Sequence, residues 1–486
     1  MITLLLLLLP LSGVALMLLF KPLEIKKAAL SISLITFLIS LIAYARFDTS
    51  ENFQFMLNYP WVVSAGISFS IGLDGLSLLL VLLTSFLIPL IILSTFGREY
   101  KNPFAFYGLI LLMETALIGV FAARDAFLFY VFWEFALIPA YFISLLWGGN
   151  NRHAVTFKFF IYTLFGSLLM LFTLIYLYLQ TPGEHSFAMD AFYNLKLNKA
   201  TQSIVFWGIF ISFAIKMPIF PFHTWQPSTY RENSTAGTML LSGLMLKMGI
   251  FGILRWIIPV VPEGAEEWGH IAILLSVLGI VYASCIAIIQ KDFKLLLAYS
   301  SIAHVGLIAA GIFSFTDNGI RGGIIQMFTH GVNVVGLFFV ADIISQRTQT
   351  FQMDQLGGIR SQAPYLSTAF MIILAGSIGL PLTNGFVGES LLLLGLFQYN
   401  AILAGFAGLT IILGATYMLL SYQKTMLGDV KAGTLNFADL SFSEKIVMLS
   451  ITLVIILSGC YPKPLLMLIE PSVKHLLIIL NQVNSI

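Results

Sequence analysis

Charged side chains are scarce in this sequence. Only 10% of its 486 residues are Asp, Glu, Lys or Arg, against about a quarter in an ordinary water-soluble domain. That deficit excludes a soluble globular fold, and 58% apolar residues place the chain among polytopic membrane proteins. Net charge is also low, at +2, so nothing points to nucleic acid as a partner. Cysteine is nearly absent: Cys285 and Cys460 stand far apart in apolar runs, give neither metal-ligand spacing nor a disulfide framework, and read as packing residues. No CxxC, no iron–sulfur spacing and no glycine-rich phosphate loop after a strand occurs, so no cofactor or metal is expected in this chain. The longest polar stretches, near 182–200 and 424–444, are only loops. Whatever the chain does, it does inside the bilayer.

What is present is a succession of apolar runs. A span needs about 20 mostly apolar residues. Runs of that kind lie near 2–20, 27–46, 68–96, 104–122, 126–147, 154–180, 201–223, 234–258, 268–290, 294–313, 319–345, 363–398, 401–423 and 445–468, about fourteen spans by hydropathy. The first run is apolar like a signal peptide but lacks a basic start and a small-residue cleavage site, and it reads as a retained span. The basic residues test this count. Odd-numbered loops and their flanks hold fifteen, including Lys21, Lys26, Lys27, Arg98, Arg152, Arg231 and Lys424; even-numbered loops hold six, Arg46, Arg124, Lys196, Lys199, Arg255 and Arg321. The bias places odd loops in the cytoplasm and both termini on the opposite side. Lys463 and Lys474 fall in a C-terminal tail.

Two spans are interrupted. The seventh breaks at "KMPIFPF" and the twelfth at "GSIGLPLTNGFVGES", where Gly376, Gly379, Pro381, Gly385 and Gly388 fall. Broken spans five helices apart fit two repeats of five helices, inverted because an odd number of spans starts each copy on the opposite side. The expected organisation is thus all-α: helices 1–3 over 1–103, a first repeat over 104–258, a second over 259–424, and helix 14 with a tail over 425–486. At the first break, Pro218 and Pro221 lack N–H groups, so the carbonyls of Ala214 and Met217 are expected to lose their helical partners beside Lys216.

Ionisable residues inside the spans are the remaining signal. A charge at a helix centre costs roughly 2.5–3.5 kcal/mol on insertion scales, so such residues usually face the bundle interior. Glu134, Lys216, Lys247, His304, His330 and Glu389 form such a set. Each has a plainer reading. Glu134 and Lys216 make sense as a static buried pair, His304 and His330 as satisfied core histidines or as ligands of a haem between neighbouring helices. Glu114, in the fourth span, is a further candidate acid. His223 is balanced between packing and proton relay. Asp74 reads as a helix cap, and Lys291, Asp292 and Lys294 as a loop face, with Lys294 within reach of His304 in sequence. Lysine changes its proton affinity readily when buried and histidine titrates near neutrality. Acid, lysine, lysine, histidine, histidine, acid is the composition of a proton relay across a bundle.

The stretches "LDGLSL", "FLFYVFWE", "KMPIFPFHTWQP", "STAG", "LKMGIFGILR", "QKDFKLLLAYSSIAHVG", "THG" and "GFVGE" together resemble the antiporter-like subunits of respiratory complex I, the proton-pumping NADH:quinone oxidoreductase, over about residues 68 to 425. Multisubunit sodium/proton antiporters belong to the same superfamily. The resemblance implies fourteen helices in two inverted five-helix repeats with helices 7 and 12 broken. It implies Glu134 and Lys216 as an input pair, Lys247 and His304 as central groups, His330 as a further relay and Glu389 as the terminal group. A glutamate at that last position resembles the M-type member. No redox cofactor is implied here; FMN, iron–sulfur clusters and quinone belong to partner subunits, and L-type and N-type subunits would be neighbours in a bacterial inner membrane. After "FHTW" the family commonly has leucine, proline, aspartate; this sequence has Ser228 in the aspartate's place, which puts that residue's role in doubt. A sodium/proton antiporter subunit and a membrane-bound hydrogenase subunit are the alternatives within the superfamily.

Overall fold

The apolar runs fold as helices whose ends are set by capping side chains. The computed structural model describes residues 1–20, 24–49 and 53–483; Lys21, counted above with the cytoplasmic basic residues, lies outside them. α1 (Ile2–Phe20) and α2 (Ile25–Ala45) lead into a hairpin of β1 (Gln54–Val62) and β2 (Ile67–Leu73), followed by α3 (Gly75–Ser94), α4 (Pro103–Ala122), α5 (Ala126–Trp147) and α6 (Arg152–Gln180). Next come α7 (Lys199–Lys216), α8 (Gln226–Glu232), α9 (Thr235–Ile257), α10 (Pro262–Ile289), α11 (Phe293–Phe313) and α12 (Asp317–Thr348). The chain closes with α13 (Pro364–Ser377), α14 (Asn384–Tyr399), α15 (Ala401–Met426), α16 (Phe442–Cys460) and α17 (Lys463–Val483). Asp125, Asp292, Thr316 and Asn400 cap α5, α11, α12 and α15 by accepting backbone N–H groups that have no intrahelical acceptor.

Among the described residues, 13 helices are long and apolar enough to cross a membrane. α17 is one of them; the others answer to expected spans. The seventh and twelfth spans are missing from that set because each is interrupted: α7 ends at Lys216 inside the seventh, and the twelfth is split into α13 and α14.

Several expectations need correction. The third span does not begin at residue 68: residues 67–73 pair antiparallel with β1, Tyr59 opposite Phe69. "ISFSIGL" is apolar at every second residue, the period of a strand, and the helix starts only where Asp74 accepts the Ser77 N–H at 2.9 Å. The C-terminal tail is instead the helix α17, seated on α3 and α12. Its Ser472 hydroxyl donates to Asp74 at 2.9 Å and its Glu470 pairs with Arg321. Gly75 permits this approach, since a Cβ there would stand 1.9 Å from the Leu468 carbonyl. Finally, Cys285 and Cys460 are exposed rather than packed.

Burial sorts the helices into an inner and an outer set. α3, α9, α11 and α12 are enclosed by the bundle, whereas α1, α2, α6, α15 and α16 turn large apolar side chains outward. Lys247, His304 and His330 ride on inner helices, the placement that a costly buried ionisable group requires. Arg255, assigned above to a loop, belongs to this interior too: it lies near the end of α9 and forms a buried ion pair with Asp74 at 2.7 Å.

At the first break the backbone satisfies itself more fully than the prolines suggest. The Ala214 carbonyl, denied the Pro218 N–H, accepts from Ile219 at 3.0 Å, and the Trp225 indole donates to the Ile215 carbonyl at 2.9 Å. The chain folds back over the broken end, so Ala214, which loses its helical partner as expected, gains another. At the second break, α13 stops at Ser377 and Gly379 takes φ +66, a left-handed conformation that costs glycine nothing.

Candidate functional site

Lys247 is fully buried in α9, between two π turns, Leu241–Met245 and Ile253–Ile257. In a π turn each N–H reaches one residue further back than in an α turn. Leu246 N accordingly binds the Leu241 carbonyl at 3.3 Å, which leaves the Ser242 carbonyl to accept from Lys247 Nζ at 2.7 Å. The same Nζ lies 2.9 Å from Nδ1 of His330 on α12. The helix irregularity thus gives the lysine a polar seat inside an apolar bundle.

From His330 the row continues. Its Nε2 is 3.3 Å from the Ser301 hydroxyl, and its ring centroid is 5.9 Å from that of His304 on α11. His304 Nδ1 lies 3.2 Å from Oε1 of Glu389 on α14, close enough for an ion pair but off the line of a hydrogen bond. Side chains on a helix point toward its N-terminus, so Glu389 reaches back into the break. Its Oε2 stands 2.4 Å from where a Cβ on Gly379 would be. Gln326 Nε2 donates to Glu389 Oε1 at 3.3 Å, and the Thr329 hydroxyl donates to Gln326 Oε1 at 2.7 Å. Lys247, His330, His304 and Glu389, from four helices, are therefore successive neighbours. Ser300, Asn333 and Ser377 line a small cavity beside the two histidines. Asn333 Oδ1 and both amide atoms of Asn384 are buried without a hydrogen-bond partner among the described residues, the setting in which ordered water is held.

Lys216 and Glu134 stand apart from this row. Lys216 closes α7, where the carbonyl end of a helix favours a cation. Its Nζ lies 5.1 Å from the ring centroid of Trp133, a cation–π contact. Glu134 is within electrostatic range of it, yet no ion pair joins the two among the described residues. α7 meets α9 at Gly249, where a Cβ would fall 2.8 Å from the Phe213 carbonyl.

The three lesser candidates are elsewhere. Glu114 is wholly buried in α4, both carboxyl oxygens without a hydrogen-bond partner among the described residues. His223 stacks on Phe220 at 5.6 Å and borders a cavity of about 410 Å³ with Lys158, Ser228 and Arg231. Among the described residues, Ser228 bonds back to the Trp225 carbonyl, at 3.3 Å. Lys294 is buried rather than on a loop face: its ammonium donates to the Asn233 carbonyl at 2.9 Å, at the end of α11 remote from His304. Close to it, Asp342 accepts from Arg98, Thr235 and Gln346.

The histidine geometry does not suit a haem. Both ring nitrogens of His330 and Nδ1 of His304 turn to Lys247, Ser301 and Glu389 rather than to a shared centre, and only His304 Nε2 has no neighbour of this kind among the described residues. Sequence reasoning did not find Trp133, Ser242, Gln326 or Thr329. They are neutral, and nothing in an apolar helix distinguishes a glutamine that binds a carboxylate from one that packs.

Comparison with known proteins agrees on the architecture. Residues 123–414 match the family model described as NADH:quinone oxidoreductase/Mrp antiporter, transmembrane. The NADH-quinone oxidoreductase subunit M of Rickettsia typhi is 41% identical over 92% of this chain and 90% of its own length. A chain in the structure of respiratory complex I from Thermus thermophilus with bound NADH superposes with TM-score 0.92 at 33% identity, covering 99% of this chain and 100% of that one. A chain of the Mrp complex from Dietzia superposes at TM-score 0.86 with 19% identity, covering 99% of each, which speaks to fold alone.

Proposed function

The chain belongs to the NADH:quinone oxidoreductase/Mrp antiporter transmembrane family, and from that premise we propose that its buried row of titratable side chains is the path by which it moves protons. It is a multi-pass membrane protein and an M-type, proton-translocating subunit of NADH:quinone oxidoreductase, with the other membrane subunits of that complex as partners. The observation that carries the row is its contiguity: Lys247 to His330 at 2.9 Å, His330 to His304 at 5.9 Å between rings, His304 to Glu389 at 3.2 Å.

Each member can hold or release a proton, and neighbours within one water's reach pass it on. Lys216 and Glu134 act as the input. Lys216 rests on Trp133, and its approach to or retreat from Glu134 changes its hold on a proton. The proton then goes to Lys247, along the two histidines, and to Glu389 at the second break. Glu114, His223 and Lys294 supply protons to the row from its flanks. Residues 104–258 and 259–424 form two inverted repeats, one broken helix in each. FMN, the iron–sulfur clusters and quinone are held by partner subunits, and L-type and N-type subunits flank the chain. The membrane is a bacterial inner membrane with both termini outside the cytoplasm.

The test is made in the assembled complex. Glu134→Gln, Lys216→Ala and Lys247→Ala are each expected to remove most proton pumping coupled to NADH oxidation, while NADH oxidation by an artificial acceptor persists. Full pumping by all three would reject the relay.

A further inference from the structure

In the proposed relay the row ends on a carboxyl group that takes up and gives up a proton while buried, and a buried polar group left without a partner costs about 1–3 kcal/mol. Glu389 therefore needs a companion that suits both of its states. Gln326 has the required chemistry. Its amide carries a donor on one side and an acceptor on the other. Nε2 faces Glu389 Oε1 at 3.3 Å and Oε1 takes the Thr329 hydroxyl at 2.7 Å. All three residues are buried. The arrangement depends on Gly388, since a Cβ there would stand 2.2 Å from Gln326 Oε1. Thr329 completes it, because a hydroxyl can donate or accept with equal ease.

We propose that Gln326, backed by Thr329, is a positioning residue that keeps Glu389 hydrogen-bonded in both protonation states by turning over its amide. With Glu389 ionised, Nε2 donates to the carboxylate and Thr329 donates to Oε1. When the His304 imidazolium gives its proton to Glu389, both become neutral. The new carboxyl O–H then donates to Gln326 Oε1, and the freed Nε2 donates to the Thr329 oxygen. Proton count and charge balance within His304 and Glu389, and Gln326 itself never titrates. The carboxyl is held facing His304 throughout. Serving this end of the row, the inference rests on the reading of Glu389 as a relay group.

Gln326→Met keeps length and apolar bulk but removes donor and acceptor; Thr329→Val removes only the backing hydroxyl. Both are made in the intact complex, with Glu389→Gln alongside. The readouts are protons moved per NADH oxidised and the infrared difference band of the protonated Glu389 carboxyl, identified as the band that Glu389→Gln deletes. Gln326→Met is expected to lower pumping about tenfold, the equivalent of one hydrogen bond to a charged group, and to move the carboxyl band to higher frequency; Thr329→Val moves both less. If Glu389→Gln abolishes pumping while Gln326→Met and Thr329→Val pump normally with the band unmoved, the positioning role is overturned and the relay survives. If Glu389→Gln pumps normally, the relay reading falls and takes this role with it. Should Gln326→Met fail to assemble, Thr329→Val decides by the same two readouts.

Discussion

At the residue scale, the sequence announces which side chains are costly but not whom they meet. Lys247 and His330 stand out as polar groups in apolar helices, yet they lie 83 positions apart and touch only through the packing of α9 on α12. Asp74 was legible as a cap because a carboxylate before an apolar run has few other uses. Its second role was not legible, since Arg255 reads as a loop charge. In the fold Asp74 is ringed by Ser77 N at 2.9 Å, Arg255 at 2.7 Å and the Ser472 hydroxyl at 2.9 Å. Breaking a buried pair from one side leaves an uncompensated charge, at about 3–5 kcal/mol. Asp74→Ala should therefore destabilise the subunit by about that much, seen as thermal loss of the subunit from the complex on native gels. Asp74→Leu combined with Arg255→Met should recover a large part, and equal losses in the single and double variants would contradict this account.

At the element scale, hydropathy found the spans and Pro and Gly found both breaks. It read through the hairpin because β2 is as apolar as a span, although its two-residue alternation was there to see. It also passed over α17, whose lysines, glutamate and Pro471 dilute its hydropathy. The π turns of α9 left no sequence mark, since no residue type demands one. α17 is held by close backbone approach as well as by Ser472 and Glu470. Gly75→Ala should push it off α3, with hydrogen exchange over residues 463–483 rising about tenfold while α6, on the outer face, is unchanged. Unaltered exchange would mean that the Leu468 carbonyl can move aside at no cost.

At the scale of the whole molecule, the inner helices carry Lys247, His304, His330 and Lys294, Glu134, Lys216 and Glu389 lie on the neighbouring helices α5, α7 and α14, and the outer helices carry the apolar faces. That division follows from the cost of burying charge, and it could be anticipated without coordinates. The orientation proposed from the basic loops can be checked with single cysteines. In a background with Cys285 and Cys460 replaced by serine, Asp429→Cys should react with an impermeant thiol reagent only from the cytoplasmic side. Glu184→Cys should react only from the other, and the reverse pattern would invert the topology.

The row itself has an electrical meaning. Lys247, His330 and His304 sit near the middles of α9, α12 and α11, and Glu389 reaches into the second break, so the row runs across the bundle from helix to helix rather than along any one of them. Moving an elementary charge across the full membrane potential takes about 2.3 kcal/mol per 100 mV, but a charge displaced in the plane of the bilayer does almost none of that work. The transfers proposed along the row would thus be nearly blind to voltage. On the proposed path the work of charging the membrane is concentrated where protons enter and leave it, and a high membrane potential should slow those short vertical steps while leaving the lateral passage untouched.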